Sequence, residues 1–414
     1  MKRLTKYLFP TWIILLVVFL LSGVGAAIIV FTRGLIVTNL SDMVPWGLWI
    51  TIDLSAVALG AGAFLLSAAV YLLGIKQLAP VARTAVFIGF IGYTMACMTL
   101  LLDIGRPDRF WHSIAFWNIH SPLWEVTMCI TFYLMVLTLE VLPLLARADW
   151  FKQRLPTIAE HLHHIHRFAP FLAAVGLGLS LLHQSSLGAT YGVLKARPVV
   201  YRPSLAVLFI VSAVVAGPAL TVLASKAAAW ITPRANVKDE LLDQVSRFVG
   251  WALIAYVYIR FWDMLAMNYT YEPGRSEGLQ LLTTGSLSFN FWVGEVILGA
   301  VVPMIILLSS RLRRKPHLHV LALLCIVGGL VAYRWDTNIV SQIVVFNYLP
   351  QDLVPRYTAY VPSLIEILAG AGVVAYGLLT FTLGVRYLGI VDHSGAHETE
   401  HAPETVALAP GAAD

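Results

Sequence analysis

Ten long apolar stretches run through this chain, and a sequence built that way has few folds open to it. Inside a bilayer no water is available to backbone amides and carbonyls, so each crossing must satisfy them within its own helix or in a closed barrel. Runs of about 20 apolar residues are the length of a helical crossing. With 58% hydrophobic and only 12% charged residues, the chain reads as an all-α polytopic membrane protein. The spans are placed near residues 11–31, 48–74, 84–102, 122–146, 168–187, 204–224, 245–267, 289–309, 317–335 and 362–387. The basic opening Met1-Lys2-Arg3-Leu4-Thr5-Lys6 resembles a secretion signal. The apolar run behind it is too long, and no small-x-small cleavage site follows, so it is read as a retained first helix. Residues 1–391 are taken as one membrane domain. The tail 392–414, rich in Ala, Pro, Glu and His, has too little apolar surface to fold and is expected to be a disordered cytoplasmic segment.

Lysine and arginine give the direction of each crossing. Lys2, Arg3, Lys6, Lys76, Arg83, Arg147, Lys152, Arg154, Arg234 and the run from Arg311 to Lys315 fall on the side of the N-terminus. The opposite loops hold fewer, among them Arg33, Arg106, Arg109, Lys195, Arg197 and Arg275. Both termini are therefore expected in the cytoplasm. The net charge of +5 reflects this bias and gives no reason to expect nucleic-acid binding.

An ionisable group at bilayer depth costs roughly 2.5 to 3.5 kcal/mol on insertion scales unless it is paired or hydrated, so each one is a functional candidate. The embedded set is Asp53, Asp103, Glu125, His183, Arg260, Asp263, Glu295, Arg334 and Glu366. Asp53, Glu125, Glu295 and Glu366 come soon after entry from outside; the others come shortly before exit to it. The outer third is thus polar and the inner part mostly dry. Trp46, Trp49, Trp111, Trp117, Trp124, Trp262, Trp292 and Trp335 share the outer level, as an aromatic belt at the headgroups would.

Several chemistries are excluded by what is missing. Cys97, Cys129 and Cys325 are the only cysteines, each isolated in an apolar helix, so the chain offers neither a disulfide framework nor a thiolate set for an iron–sulfur cluster. His183 is the one histidine well inside a span, which leaves intramembrane haem without facing ligands. No loop is long enough for a soluble domain, and no phosphate-cradling glycine motif is present. The stretch from Glu160 to Arg167 is dense in histidine, but His163 and His164 cannot share a helical face, and no metal is expected. If electrons are involved, partners supply the redox centres.

Resemblance becomes specific at Ser180-Leu181-Leu182-His183-Gln184-Ser185-Ser186-Leu187-Gly188. Together with Trp46-Gly47-Leu48-Trp49 leading to Asp53, Leu102-Asp103-Ile104-Gly105-Arg106-Pro107, Ser121-Pro122-Leu123-Trp124-Glu125 and Val361-Pro362-Ser363-Leu364-Ile365-Glu366, it resembles the NrfD/PsrC family of polysulfide reductase membrane subunits. The likeness covers all ten spans and is nearest to the ten-helix branch, which holds membrane subunits of menaquinone reductase, sulfite-reduction and hydrogenase complexes. It implies two four-helix bundles, spans two to five and six to nine, with the first and last spans outside them. It also implies a prokaryotic cytoplasmic (inner) membrane, menaquinone as bound substrate, and no haem or iron–sulfur cluster in this chain. The implied partners are a periplasmic iron–sulfur subunit and, with it, a molybdopterin-family-like or multihaem cytochrome c subunit. Menaquinone reductase is the expected setting, with a sulfite-reduction or hydrogenase complex as the alternative; this chain supplies the quinone site rather than acting alone, and proton or charge translocation is open to it. A degenerate internal repeat agrees with two bundles: Leu123-Trp124-Glu125-Val126 is echoed by Val293-Gly294-Glu295-Val296.

Quinone reduction brings two electrons and two protons to one ring, so the site needs donors to the ring oxygens and groups that relay protons. His183 suits a donor whose charge can change near neutral pH, with Asp103, Asp53 and Glu125 as proton relays, and the protons are expected from the outer surface unless Glu140 belongs to a buried water path. Trp49, Arg106, His112, Gln184, Arg260 and Arg334 are the further quinone-binding candidates. Each also has a plainer reading: Arg260 and Asp263 are three apart on one helix face and can neutralise each other. Glu295, Arg334 and Glu366 are assigned to the second bundle, where a structural network is the favoured account. Glu140 lies on nearly the same face as Glu125, roughly 22 Å deeper. With Tyr133, and with Glu295 and Glu366, it is a candidate proton path, against the preferred reading of a snorkelling carboxylate. The competing function class is a secondary transporter or proton channel. Such proteins usually place their ionisable residues near the midplane, whereas here they crowd one face.

Overall fold

A computed structural model describes residues 2–146, 148–232, 235, 238–346 and 355–391. The expected disordered tail, together with Arg147 and Arg234, lies outside the described residues. Among those described, ten helices are long and apolar enough to cross a membrane: α1 (Tyr7–Arg33), α2 (Leu48–Tyr71), α3 (Lys76–Asp103), α4 (Pro122–Ala146), α5 (Ala169–Gly192), α6 (Ser204–Ile231), α7 (Asp239–Tyr269), α8 (Asn290–Leu308), α9 (Pro316–Ile343) and α10 (Leu364–Tyr387). The chain is an all-α integral membrane protein that crosses repeatedly. Each helix falls on one stretch read from the sequence. The expected ends at 187 and 335 are extended to Gly192 in α5 and Ile343 in α9.

Helices α2, α3, α4 and α5 pack in a ring, and α6 to α9 form a second one. The bundles meet where α2 and α5 lie against α6, and where α9 lies against α2. Their closest approach is glycine on glycine. A Cβ on Gly62 would stand 2.7 Å from the carbonyl oxygen of Gly217, and one on Gly217 would overlap the Gly62 nitrogen. Lipid tails are as apolar as the helices, so packing of this kind, rather than a hydrophobic driving force, holds membrane helices together. Helices α1 and α10 pair outside the bundles through a similar contact at Gly23 and Gly372, and α10 leans on α3.

The end carrying Trp46, Arg106 and Arg197 is called the upper end, and that carrying Lys76 the lower. Two features there depart from plain helices. Val344–Phe346 (β1) and Pro355–Tyr357 (β2) form an antiparallel ribbon with Val345 opposite Arg356. Helix α8 begins as a π-helix over Asn290–Val301, a winding that recurs at functional sites because it widens the turn.

Glu366 corrects an expectation: it belongs to α10, outside both bundles, and not to the second one. With Ser363 it forms a capping box, in which the Glu366 amide donates to Ser363 Oγ at 3.2 Å and the Ser363 amide to Glu366 Oε2 at 2.8 Å. The same carboxylate accepts from the Asn39 amide at 2.9 Å and from the Tyr360 hydroxyl. Tyr360 in turn accepts from the Leu48 amide at 2.9 Å, and burial with this carboxylate contact pushes its phenol well above the ordinary range. The segment from Gly34 to Gly47 is thereby fastened across the upper end.

Candidate functional site

Beneath that segment a cavity of about 600 Å³ opens at the top of the first bundle, within the range of small-molecule sites. Trp46 and Tyr191 form aromatic walls, edge-on with ring centroids 5.3 Å apart. Ile50, Leu100, Val126 and Leu187 supply aliphatic surface. Three carboxyl groups break this apolar lining: Asp42, exposed in the loop before α2, and two carried by the helices. Asp103 ends α3 at the rim, and Asp53 lies about 8 Å down α2. One oxygen of each is buried and meets no hydrogen-bond donor among the described residues. Buried polar atoms are nearly always paired, so an orphan marks a place where water or ligand belongs. The arrangement suits a flat apolar molecule whose oxygens accept hydrogen bonds.

Glu125 stands behind the wall formed by Leu123 and Val126, and its carboxylate accepts from Ser186 of α5 at 2.7 Å. His183 is deeper than expected, because α5 continues for about 13 Å beyond it. It is 1% exposed and does not line the cavity. Its Nδ1 meets the Tyr93 hydroxyl at 2.9 Å, and Tyr93 stands edge-on to Tyr133.

Beneath the cavity this bundle carries further buried polar groups. Gln184 is fully buried, with neither side-chain polar atom bonded among the described residues, and the same holds for Ser180 Oγ and the Tyr133 hydroxyl. Ser180 faces both tyrosine hydroxyls without a hydrogen bond of normal geometry. Farther down, Glu140 lines a small cavity of about 60 Å³ with Tyr71, Arg83 and Ala169. Polar groups thus occur at successive depths from Glu140 to Asp53.

The second bundle is organised differently. Arg260 binds Glu295 through Nε at 2.7 Å and Nη2 at 3.2 Å, and reaches Asp263 at 3.0 Å. Asp263 also takes a two-pronged contact from Arg202, at 2.6 and 2.9 Å, and a bond from Ser204. Tyr256 donates to Glu295 at 3.0 Å. Two arginines and two carboxylates therefore close on themselves, a network that includes neither Arg334 nor Glu366. Glu125 and Glu295 both sit near the upper start of the third helix of their bundle, yet one meets a serine and the other an arginine.

Arg334 is completely buried and stacks on Phe209, its Cζ 3.6 Å from the ring centroid. One nitrogen reaches Ser212 Oγ at 3.1 Å, while Nε and Nη1 have no hydrogen-bond partner among the described residues. The remaining candidates also lie away from the cavity. Trp49 is buried and donates to the Glu366 carbonyl at 3.0 Å. Arg106 is exposed and spends its guanidinium on Asp108, which holds the Asp108 carboxyl below its usual range. His112 packs against Trp111 in the upper loop. Sequence reading missed Tyr93, Tyr191, Asp336, Asn338 and Gln342. Asp336 is 1% exposed, with one oxygen held by Asn290 at 2.7 Å and the other orphaned among the described residues.

Fold and site together define an integral membrane protein of two four-helix bundles, one of which encloses a carboxyl-lined cavity open at one end. The chain belongs to the NrfD family: the description "Polysulphide reductase, NrfD" matches residues 36–345, the stretch containing both bundles. It is 35% identical over 398 residues to the menaquinone reductase integral membrane subunit of Nitratidesulfovibrio vulgaris, covering 94% of this chain and 93% of the relative. It is 24% identical to a selenate reductase subunit of Mesobacillus selenatarsenatis, over 92% and 94% of the two chains. Its identity to the Hdr-like menaquinol oxidoreductase integral membrane subunit of Archaeoglobus fulgidus is 22%, over 87% and 88%.

Proposed function

We propose that this chain is the quinone-binding membrane subunit of a respiratory oxidoreductase complex, with menaquinone as its substrate. The observation that carries this reading is the cavity between Asp53 and Asp103, apolar enough for a naphthoquinone ring and lined by two carboxyl groups, each with one buried oxygen unbonded among the described residues. A carboxyl that is not closed into an ion pair can deliver a proton to a ring oxygen and be refilled. The printed names of two relatives, menaquinone reductase and menaquinol oxidoreductase, support this substrate and a menaquinone-reductase-like role.

In this reading both termini are cytoplasmic, the membrane is the prokaryotic inner membrane, and the upper end faces the periplasm. An iron–sulfur subunit docks there and supplies electrons, itself fed by a molybdopterin-family-like or multihaem cytochrome c subunit. The upper loop after α3 offers it an apolar surface: Phe110, Trp111, Ile114, Phe116, Trp117 and Ile119 are all exposed. Protons reach the cavity from below, through Glu140, Tyr133, Ser180, Tyr93, His183 and Gln184. The orphaned polar atoms along that column favour this supply over the upper surface, because such atoms are the natural partners of ordered water. Glu295 and Glu366 stand outside this route, their carboxylates already engaged by Arg260 and by the cap.

Filling the cavity tests the proposal. Leu187→Trp and Leu100→Trp, each in the complete complex, are expected to lower quinone turnover at least about tenfold, the effect of losing roughly 1.4 kcal/mol of binding, with the complex assembled as in wild type. Undiminished turnover in both variants would move the quinone elsewhere.

A further inference from the structure

The walls of the cavity are fastened from the other bundle. Trp46 lies in the loop before α2, and Tyr191 lies near the end of α5. Asn338 of α9 joins them. Its side chain is fully buried, and Oδ1 accepts from the Tyr191 hydroxyl at 2.8 Å. Its Nδ2 lies 2.9 Å from the Gly47 carbonyl, 3.2 Å from the Trp46 carbonyl and 3.1 Å from Thr51 Oγ1. One turn later Gln342 repeats the grip: Oε1 accepts from the Trp46 amide at 2.8 Å, and Nε2 donates to the Trp46 carbonyl and to Asn338 Oδ1. A buried amide can satisfy at most two donors and its acceptor lone pairs, and Asn338 has partners for all of them.

These bonds exceed what holding α9 in place requires. Helix α9 already packs on α6, α8 and α2 along its length. The Asn338 bonds go instead to one turn and one hydroxyl, whose rings both face the cavity. We propose that Asn338 is a positioning residue, by which the second bundle sets the spacing of the Trp46 and Tyr191 walls and hence the fit of the quinone ring. The inference rests on the quinone reading above and adds to it a part for the second bundle that involves no contact with the substrate.

The test uses the complete complex carrying Asn338→Leu, Asn338→Asp or Tyr191→Phe, assayed with a short-chain menaquinone analogue. Asn338→Leu removes every side-chain bond. Its KM is expected to rise about tenfold, the effect of one buried hydrogen bond lost from the bound state, with kcat per assembled complex within about twofold of wild type. Asn338→Asp keeps the size and the acceptor for Tyr191 but loses the amide donors, and gives a smaller rise in KM; if the leucine variant fails to assemble, this one carries the test. Adding Tyr191→Phe to Asn338→Leu should change KM little further, because the bond between them is already gone. A wild-type KM in the assembled Asn338 variants, with only the yield of complex reduced, overturns the inference and leaves the quinone reading intact. Failure of wild-type turnover to saturate with the analogue overturns both.

Discussion

The Tyr93 hydroxyl and Nδ1 of His183 meet at 2.9 Å across the first bundle, below the cavity rather than in its wall. A histidine so placed acts on a substrate through its neighbours. His183→Ala and Tyr93→Phe are therefore expected to lower kcat to a similar extent, about ten- to a hundredfold if roughly 1.5 to 3 kcal/mol of a relay bond is lost, while leaving the quinone KM nearly unchanged. Steady-state kinetics of the assembled complex separate the two parameters. A raised KM with normal kcat in His183→Ala would instead make it a direct quinone ligand.

Asp53 and Asp103 differ in depth and should differ in effect. Asp53→Asn removes the ionisable group nearest the buried column and is expected to slow turnover about a hundredfold. Asp103→Asn, at the rim, should cost about tenfold. Quinone content of the purified complexes should remain at the wild-type level, since an amide still donates to a ring oxygen. Equal and normal rates in both variants would return the carboxyl groups to a structural role.

The column beneath the cavity predicts charge movement. If electrons enter at the upper end and protons at the lower, sealed vesicles containing the complex, a donor and quinone develop a potential during turnover, read with a voltage-sensitive dye. Glu140→Gln should diminish that potential and slow turnover together. Turnover without any potential in the wild type would show that protons come from the donor's side.

The closed network in the second bundle predicts loss of folding rather than of chemistry. Arg260→Met leaves Glu295 and Asp263 buried with one cation fewer, which typically costs about 3–5 kcal/mol. Complex carrying it should appear in membranes at much reduced yield, whereas the double variant Arg260→Met with Glu295→Met should recover much of it. Failure of the second change to help would mean that Glu295 has a purpose beyond neutralising Arg260.

The spans were legible because apolar length alone fixes a membrane helix, and Asp53 and Asp103 stood out because a carboxylate in such a run is costly. The residues around and beneath the cavity were hidden for physical reasons. In the sequence Asp336 is the polar end of the ninth stretch, so the helix reads as stopping just where it carries Asn338 and Gln342 onto the first bundle. Tyr93 and Tyr191 are ordinary aromatic residues until their hydroxyls are seen to meet His183 and Asn338. Spacing within one helix shows which residues share a face; it cannot show that α9 of one bundle braces the site of the other. The i, i+4 pair of amides Asn338 and Gln342 inside an apolar run was the one local hint.

Photolabelling tests the central claim most directly. A menaquinone analogue carrying an azide on its ring, bound to the intact complex and illuminated, should attach to peptides containing Trp46, Ile50, Leu100, Leu187 or Tyr191, and excess menaquinone should suppress the labelling. Labelling confined to the second bundle around Glu295 and Tyr256, or to the lower end around Glu140, and suppressed in the same way, would contradict a quinone site between Asp53 and Asp103.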